Sequence, residues 1–377
     1  MIPLSLYVHI PWCIRKCPYC DFNSHQAPDE LPETRYIEAL LADLSQELQL
    51  IDSRPLSSIF IGGGTPSLFN ASSIAKLLNG INTLSPLPDD IEITMEANPG
   101  TFEQQRFTDY RKVGVNRLSI GIQSFNPAHL KQLGRVHDEH EALHAATIAQ
   151  EAGFDNFNLD LMFGLPDQSI DQTLEDLEQA ISCQPTHLSW YQLTLEPNTL
   201  FHHQQPTLPD HEILWEMQQA GQALLKEQDF QQYEVSAYSL TGKQSLHNRN
   251  YWEFGDYIGI GAGAHGKVTA EDGQIYRTQK YRQPKQYLEQ AGIGKFRTAT
   301  TLLAQQDLPF EFMLNALRLK QGVPKSHFAD RTQLKWSDIQ NKITSAEAAG
   351  MITPHPSTLQ CTDTGWRFLD NTISLFL

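Results

Sequence analysis

LSLYVHIPWCIRKCPYCDF, residues 4–22, sets an alternating apolar run against a loop carrying Cys13, Cys17 and Cys20, three of the five cysteines in the chain. The C-x3-C-x2-C spacing brings three thiolates into one turn of chain just past a strand. Soft sulfur ligands so placed suit a 4Fe-4S cluster. The fourth iron is then open to the amino and carboxylate groups of a small molecule, and S-adenosylmethionine (SAM) is bound in that way. A structural zinc site completed by His9 or His25 is the alternative. Such sites usually build from two paired ligand motifs, and no second cysteine pair follows.

Working outward, short apolar runs recur at Ser58–Ile61, Ile91–Ala97, Asn116–Ile122, Asn156–Met162 and Thr186–Leu193. With Leu4–Ile10 they predict six strands at the spacing of strand-crossover-strand units. Between the first two, Ile37, Leu40, Leu41, Leu44, Leu48 and Ile51 recur every three or four residues and predict a helix with one apolar face. Asp176 and Glu178 read as the solvated face of another helix. Alternating strands and helices imply an α/β fold with a parallel sheet and right-handed crossovers, and six units suit a partial (β/α)6 TIM-like barrel. Loops after the C-terminal ends of barrel strands build active sites. The cysteine loop, Gly62-Gly63-Gly64-Thr65-Pro66, Glu96, Gln123 and Gly164-Leu165-Pro166 each follow or end a separate strand, so one face should gather them.

The barrel pattern occupies residues 1–195. Residues 196–305 read as a mixed α/β extension, with a helix over Ile213–Gln228 and strands over Tyr233–Tyr238 and Tyr257–Ile260. Residues 306–377 read as a winged-helix-like domain: helices over Phe310–Lys320 and Ser337–Ala349, then two short strands around Met351 and Trp366. Residues 301–377 hold seven Lys/Arg and seven Asp/Glu, so the basic footprint of a nucleic-acid binder is missing. The whole chain carries 28 Lys/Arg against 44 Asp/Glu, a net charge of −16, which also disfavours phosphate-backbone partners. No apolar stretch approaches a membrane span, and Met1 runs directly into a strand without a signal-peptide pattern. A cytoplasmic protein is expected, in a redox setting that keeps the loop thiols available to iron. Cys183 and Cys361 read as small buried structural residues.

Among polar residues, Gly62-Gly63-Gly64 lets backbone approach a ligand closely, or simply makes a tight turn at a strand end. Glu96 is placed to accept hydrogen bonds from an amino group or ribose hydroxyls, with a strand-terminal salt bridge as its other role. Gln123 and Asp160 hold equivalent strand-end positions, and Arg135 suits a carboxylate. GIGAGAHG, residues 259–266, contains a literal G-x-G-x-x-G, yet a hairpin signal at Asp272-Gly273 follows where a dinucleotide fold needs a helix. A glycine-lined wall for a flat ligand, or a plain loop, fits better. In His247-Asn248-Arg249-Asn250-Tyr251-Trp252, a metal-ligand histidine adjoins two aromatics. On chemistry alone His247 reads first as a packed loop histidine and second as an axial heme ligand. His202-His203 reads as solvent-exposed.

YVHIPWCIRKCPYCDFNS, IFIGGGTPS, TMEANPG, RLSIGIQSF, LGRVH, NLDLMFGLPDQ, WYQLTLEPNT, HNRNYW and YIGIGAGAHG together resemble the HemW family of radical SAM proteins. These are heme chaperones related to the oxygen-independent coproporphyrinogen III dehydrogenase, HemN. The resemblance implies that Cys13, Cys17 and Cys20 ligate the cluster and that SAM chelates its unique iron. It also implies that Tyr7 and Tyr19 flank the cofactor, that Gly63, Gly64 and Thr65 contact its methionyl part, and that Glu96, Gln123, Arg135 and Asp160 complete the pocket. Thr194 and His265 match the pattern less closely. Phe22 stands where the dehydrogenase has a further cysteine, and the dehydrogenase's N-terminal arm is missing. The HNxxYW pattern is complete and implies heme binding, with His247 the leading ligand. A chaperone that hands heme to cytoplasmic or membrane-associated respiratory apoproteins is therefore expected, with a radical SAM-type site but without dehydrogenase activity. A homodimer is left open. Radical decarboxylation of coproporphyrinogen is the enzymatic alternative; RNA modification is disfavoured by the neutral C-terminal charge balance.

Overall fold

Strand alternation in this sequence puts apolar residues on one side and polar residues on the other, and the computed structural model, which describes residues 2–51, 54–100 and 106–377, follows it. Six strands form the parallel core: β1 (Leu4–Ile10), β2 (Leu56–Gly63), β3 (Glu92–Ala97), β4 (Arg117–Gln123), β5 (Phe157–Phe163) and β6 (His187–Gln192). Leu6, Val8, Ile59, Met95, Ile120 and Leu159 are fully buried in the main core beneath the surrounding helices. The intervening positions face inward and are polar or small: Tyr7 and His9 on β1, Thr94 and Glu96 on β3, Arg117, Ser119 and Gly121 on β4, Asn158 and Asp160 on β5. A closed TIM barrel fills its centre with branched apolar side chains. This partial barrel instead encloses a polar lumen.

The sheet does not stop at six strands. β7 (Gln231–Glu234) and β8 (Ala237–Ser239) extend it antiparallel beyond β6. At the other side β9 (Asp256–Ile260) runs parallel to β1, followed by antiparallel β10 (His265–Thr269), β11 (Ile275–Lys280) and β12 (Arg297–Leu302). The result is one twelve-stranded sheet ordered β12-β11-β10-β9-β1-β2-β3-β4-β5-β6-β8-β7. Buried ion pairs fasten the added strands: Asp256 holds Arg54 at 2.9 Å and Lys267 at 2.7 Å, while Asp43 holds Lys280 at 2.5 Å. Lys280 also pairs with Glu47. The helix Leu246–Trp252 crosses under the barrel and packs on β1, β2 and β9. Glu92 at the start of β3 accepts the N–H groups of Leu246 and His247, both at 3.1 Å.

Three expectations change. The single strand over Tyr233–Tyr238 is the β7–β8 hairpin, because Glu234 turns the chain by accepting both the N–H and the hydroxyl of Ser236 at 3.0 Å. Trp366 lies on a helix, Asp363–Arg367, begun where the Thr362 hydroxyl accepts the Gly365 N–H at 2.9 Å; near Met351 only an isolated Ile352–Cys361 bridge forms. Asp176 is not solvated: it is 4% exposed and accepts from Ser124 and from the Phe125 N–H, both at 2.7 Å, fixing the loop after β4. Among the described residues no helix is long and apolar enough to cross a membrane.

Candidate cluster and cofactor site

The cysteine loop is closed at its base by its own short parallel pairing, Trp12 with His25 and Cys13 with Gln26. From above, Gly64 donates to Ile10 and Thr65 to Trp12, both at 2.7 Å. A Cβ on Gly64 would lie 2.5 Å from the Trp12 carbonyl oxygen, and one on Gly263 would lie 2.2 Å from the Asn23 amide. Both glycine clusters therefore admit chain as well as ligand. Asn23 completes the anchorage by donating to the carbonyls of Ala262 and Arg282, each at 2.9 Å.

Cys13, Cys17 and Cys20 line one cavity of about 360 Å³, within the range of small-molecule sites. Tyr19, Gly63, Gly64, Thr65, Glu96, Gln123, Arg135 and Asp160 line it too, whereas Gly164, Leu165 and Pro166 do not, and Asp160 sits in the middle of β5 rather than at its end. The Arg135 guanidinium donates to Cys17 Sγ at 3.6 Å, to Asn98 at 2.7 Å and to the Gly121 carbonyl at 2.6 Å. Asn98 in turn donates to Thr65 at 3.1 Å. The sequence reading passed over Asn98, although TMEANPG places it two residues beyond Glu96. Gln123 adopts φ 73° at a bulge and accepts the Tyr191 hydroxyl at 2.8 Å, a costly backbone conformation held by its surroundings. Glu96 accepts the Gly63 N–H at 2.9 Å, and burial raises its pKa to about 7.

These residues fit an iron-sulfur cluster better than zinc. In a cluster each thiolate binds its own iron, so the sulfurs need to face one cavity rather than converge on one ion. His9 is engaged on both ring nitrogens, by the Tyr7 hydroxyl at 2.9 Å and the Asn23 carbonyl at 3.0 Å, and His25 Nε2 pairs with the Asn23 side chain at 3.2 Å. Neither histidine is turned to the thiols.

A second cavity, about 570 Å³, adjoins the first across Phe22, Gly63 and Glu96. Its walls include Tyr7, Tyr251, Trp252, Tyr257, His265, Lys267, Arg277 and Arg282. Thr194 is exposed and lines neither cavity. His247 lies behind this wall, 1% exposed, with Nδ1 paired to Ser58 at 3.0 Å and Nε2 to the Tyr251 hydroxyl at 2.9 Å. Burial lowers its pKa to about 3.

The Radical SAM superfamily matches residues 7–180, and the HemN C-terminal domain matches residues 303–368. Heme chaperone HemW of Escherichia coli is 50% identical over 375 residues, covering 100% of this chain and 98% of that protein. The chain belongs to the HemW family. Heme chaperone HemW of Haemophilus influenzae is 49% identical, again over 100% of this chain and 98% of its own length. A bovine mitochondrial protein, radical S-adenosyl methionine domain-containing protein 1, is 34% identical over 97% of this chain and 86% of its own. The solved structure of coproporphyrinogen III oxidase (HemN) from Escherichia coli superposes with a TM-score of 0.83 at 23% identity, covering 100% of this chain and 90% of that one, which establishes a shared fold. In HemW terms, the region matched to the superfamily supplies β1 to β5 and the cysteine loop, and the strands beyond it extend the sheet on both sides.

Proposed function

We propose that this protein is a heme chaperone that carries a 4Fe-4S cluster on Cys13, Cys17 and Cys20, binds SAM beside it, and transfers heme to apoproteins. The adjacency of the two cavities supports the reading: a thiol-lined one and an aromatic, cation-bearing one share the wall of Phe22, Gly63 and Glu96. Tyr7, Tyr19, Gly63, Gly64, Thr65, Glu96, Gln123, Arg135 and Asp160 are assigned to SAM. The cluster and SAM, when bound, supply one-electron chemistry at that wall. Trp252, Tyr251 and Tyr257 offer flat apolar surface to a macrocycle, and Arg282 offers charge to its carboxylates, while Lys267 and Arg277 on the same wall are held by Asp256 and Glu311. His247 remains the assigned axial ligand, on the condition that the Tyr251 hydroxyl leaves its Nε2. Residues 1–195 would hold cluster and SAM, 196–305 the heme, and 306–377 would brace the extension. The acceptors would be cytoplasmic or membrane-associated respiratory apoproteins.

The test is spectroscopic and analytical. Anaerobic reconstitution should give full iron and sulfide in wild type, Cys183→Ser and Cys361→Ser, and should fail in Cys13→Ser, Cys17→Ser and Cys20→Ser. Heme added to wild type should be retained and pass to an apoprotein, and His247→Ala should shift its spectrum without loss of the cluster. A shift in Tyr251→Phe but not in His247→Ala would move the ligand to the tyrosine. Decarboxylation of coproporphyrinogen III with SAM and reductant, without heme retention, would replace the chaperone reading by the dehydrogenase one.

A further inference from the structure

Arg117 opens β4 on its inward side and is 2% exposed. Its guanidinium lines the floor of the cysteine cavity, yet it forms no hydrogen bond or ion pair with any described residue, and its Nε is fully enclosed without a partner. Thr94, its register partner on β3, is 0% exposed and does not line the cavity. Asp160 is near enough for the Arg117 charge to act on it but makes no ion pair with it, and the carboxylates of the lumen wall are otherwise engaged. Glu92 takes the two N–H groups at the Leu246–Trp252 helix start, and Asp160 accepts from Ser119 at 3.1 Å and Asn158 at 2.8 Å. An unpaired buried guanidinium costs several kcal/mol. Its retention on the lining of that cavity, with no ion-pair partner among the described residues, calls for an anion from outside the chain.

We infer that Arg117 forms a carboxylate subsite at the floor of the lumen. The guanidinium fork would hold both oxygens of a planar carboxylate. Glu96 and Asp160 share the same cavity, so a monoanion suits it better than a phosphate. Six residues of β4 separate Arg117 from Gln123, about 20 Å at strand rise, so the bound group lies well beneath the cysteine loop. The carboxylate could belong to a free small acid or to a propionate side chain of a tetrapyrrole. The assignment holds wherever heme itself binds.

Thermal unfolding of the full-length, cluster-reconstituted protein in sodium propionate, against sodium chloride at equal ionic strength, tests it. Wild type should gain melting temperature with propionate only. Arg117→Met should show no propionate response and should melt no lower than wild type without it, since a buried charge without an ion-pair partner has been removed. Arg117→Lys, which keeps the charge but not the fork, should weaken propionate binding at least tenfold. Heme and its dimethyl ester, titrated into both proteins, separate the sources: preference for the free acid in wild type that disappears in Arg117→Met identifies a tetrapyrrole side chain, and no preference in either identifies a free acid. An equal response to chloride, or a propionate response preserved in Arg117→Met, would overturn the subsite.

Discussion

Glu96 shows how a single carboxyl can tie ligand binding to pH. Burial lifts its pKa from an ordinary 4.5 to about 7, so the acid form predominates below neutrality. SAM is cationic and is assigned to this side chain, hence affinity should tighten as the pH rises from about 6 to about 8. For stability the sign is reversed: the favourable contribution of the neutral carboxyl is complete below about pH 4.5 and is lost as the pH rises through about 7. Calorimetric titration should find Glu96→Gln insensitive to pH over that range, and Glu96→Ala roughly tenfold to a hundredfold weaker than wild type at pH 8. An affinity that ignores pH in wild type would remove Glu96 from the SAM contacts. The cysteines were legible in the sequence by their spacing and Glu96 by its strand-end position, whereas Arg135, beyond the Pro127–Gln132 helix, was marked only by its guanidinium. The enclosure of His247 was not legible, since it depends on Ser58 and Tyr251 meeting one ring from opposite sides. Arg117 could be placed inward by alternation with Leu118, Ile120 and Ile122, but its lack of a partner appears only in three dimensions.

At the level of elements, the cysteine loop is held by backbone that has no room for side chains. Gly64→Ala would press a methyl group against the Trp12 backbone at 2.5 Å, an overpacking that typically costs about 1 to 3 kcal/mol. Gly153→Ala is the control: its added methyl meets nothing within 4 Å, although its φ of +84° carries strain. Both variants should melt below wild type, while iron and sulfide content should fall only in Gly64→Ala. Equal cluster content in the two would show that the loop tolerates displacement. The six core strands could be read from short apolar runs at regular spacing because each buries a full apolar face. The β7–β8 turn and the helix at Trp366 escaped that reading, because each is decided by one side-chain hydrogen bond, at Glu234 and at Thr362.

For the molecule as a whole, the ion pairs that join the extension to the barrel matter more than any surface charge. Lys280 is fully buried between Asp43 and Glu47, so Lys280→Met would strand two acids on the Glu33–Glu47 helix, with Arg297 left to pair Glu47 at 2.7 Å. Removing one member of such a network usually costs about 3 to 5 kcal/mol. Urea unfolding should register that loss in one transition spanning barrel and extension; a loss below about 1 kcal/mol would mean that the two halves stand independently. Periodicity revealed the barrel, but not that later strands flank β1, because sequence order does not encode which edge a strand joins. That arrangement also bears on synthesis. β1 lies between β2 and β9, and the Asn23 amide is tethered to the carbonyls of Ala262 and Arg282. The cysteines leave the ribosome early, but the wall that fixes their loop follows some 260 residues later, on the order of 10 to 50 s at ordinary translation rates. On the proposed cluster assignment, iron-sulfur loading would belong to the nearly complete or released polypeptide, and a chain arrested before β9 would present its cysteines without the wall that fixes their loop.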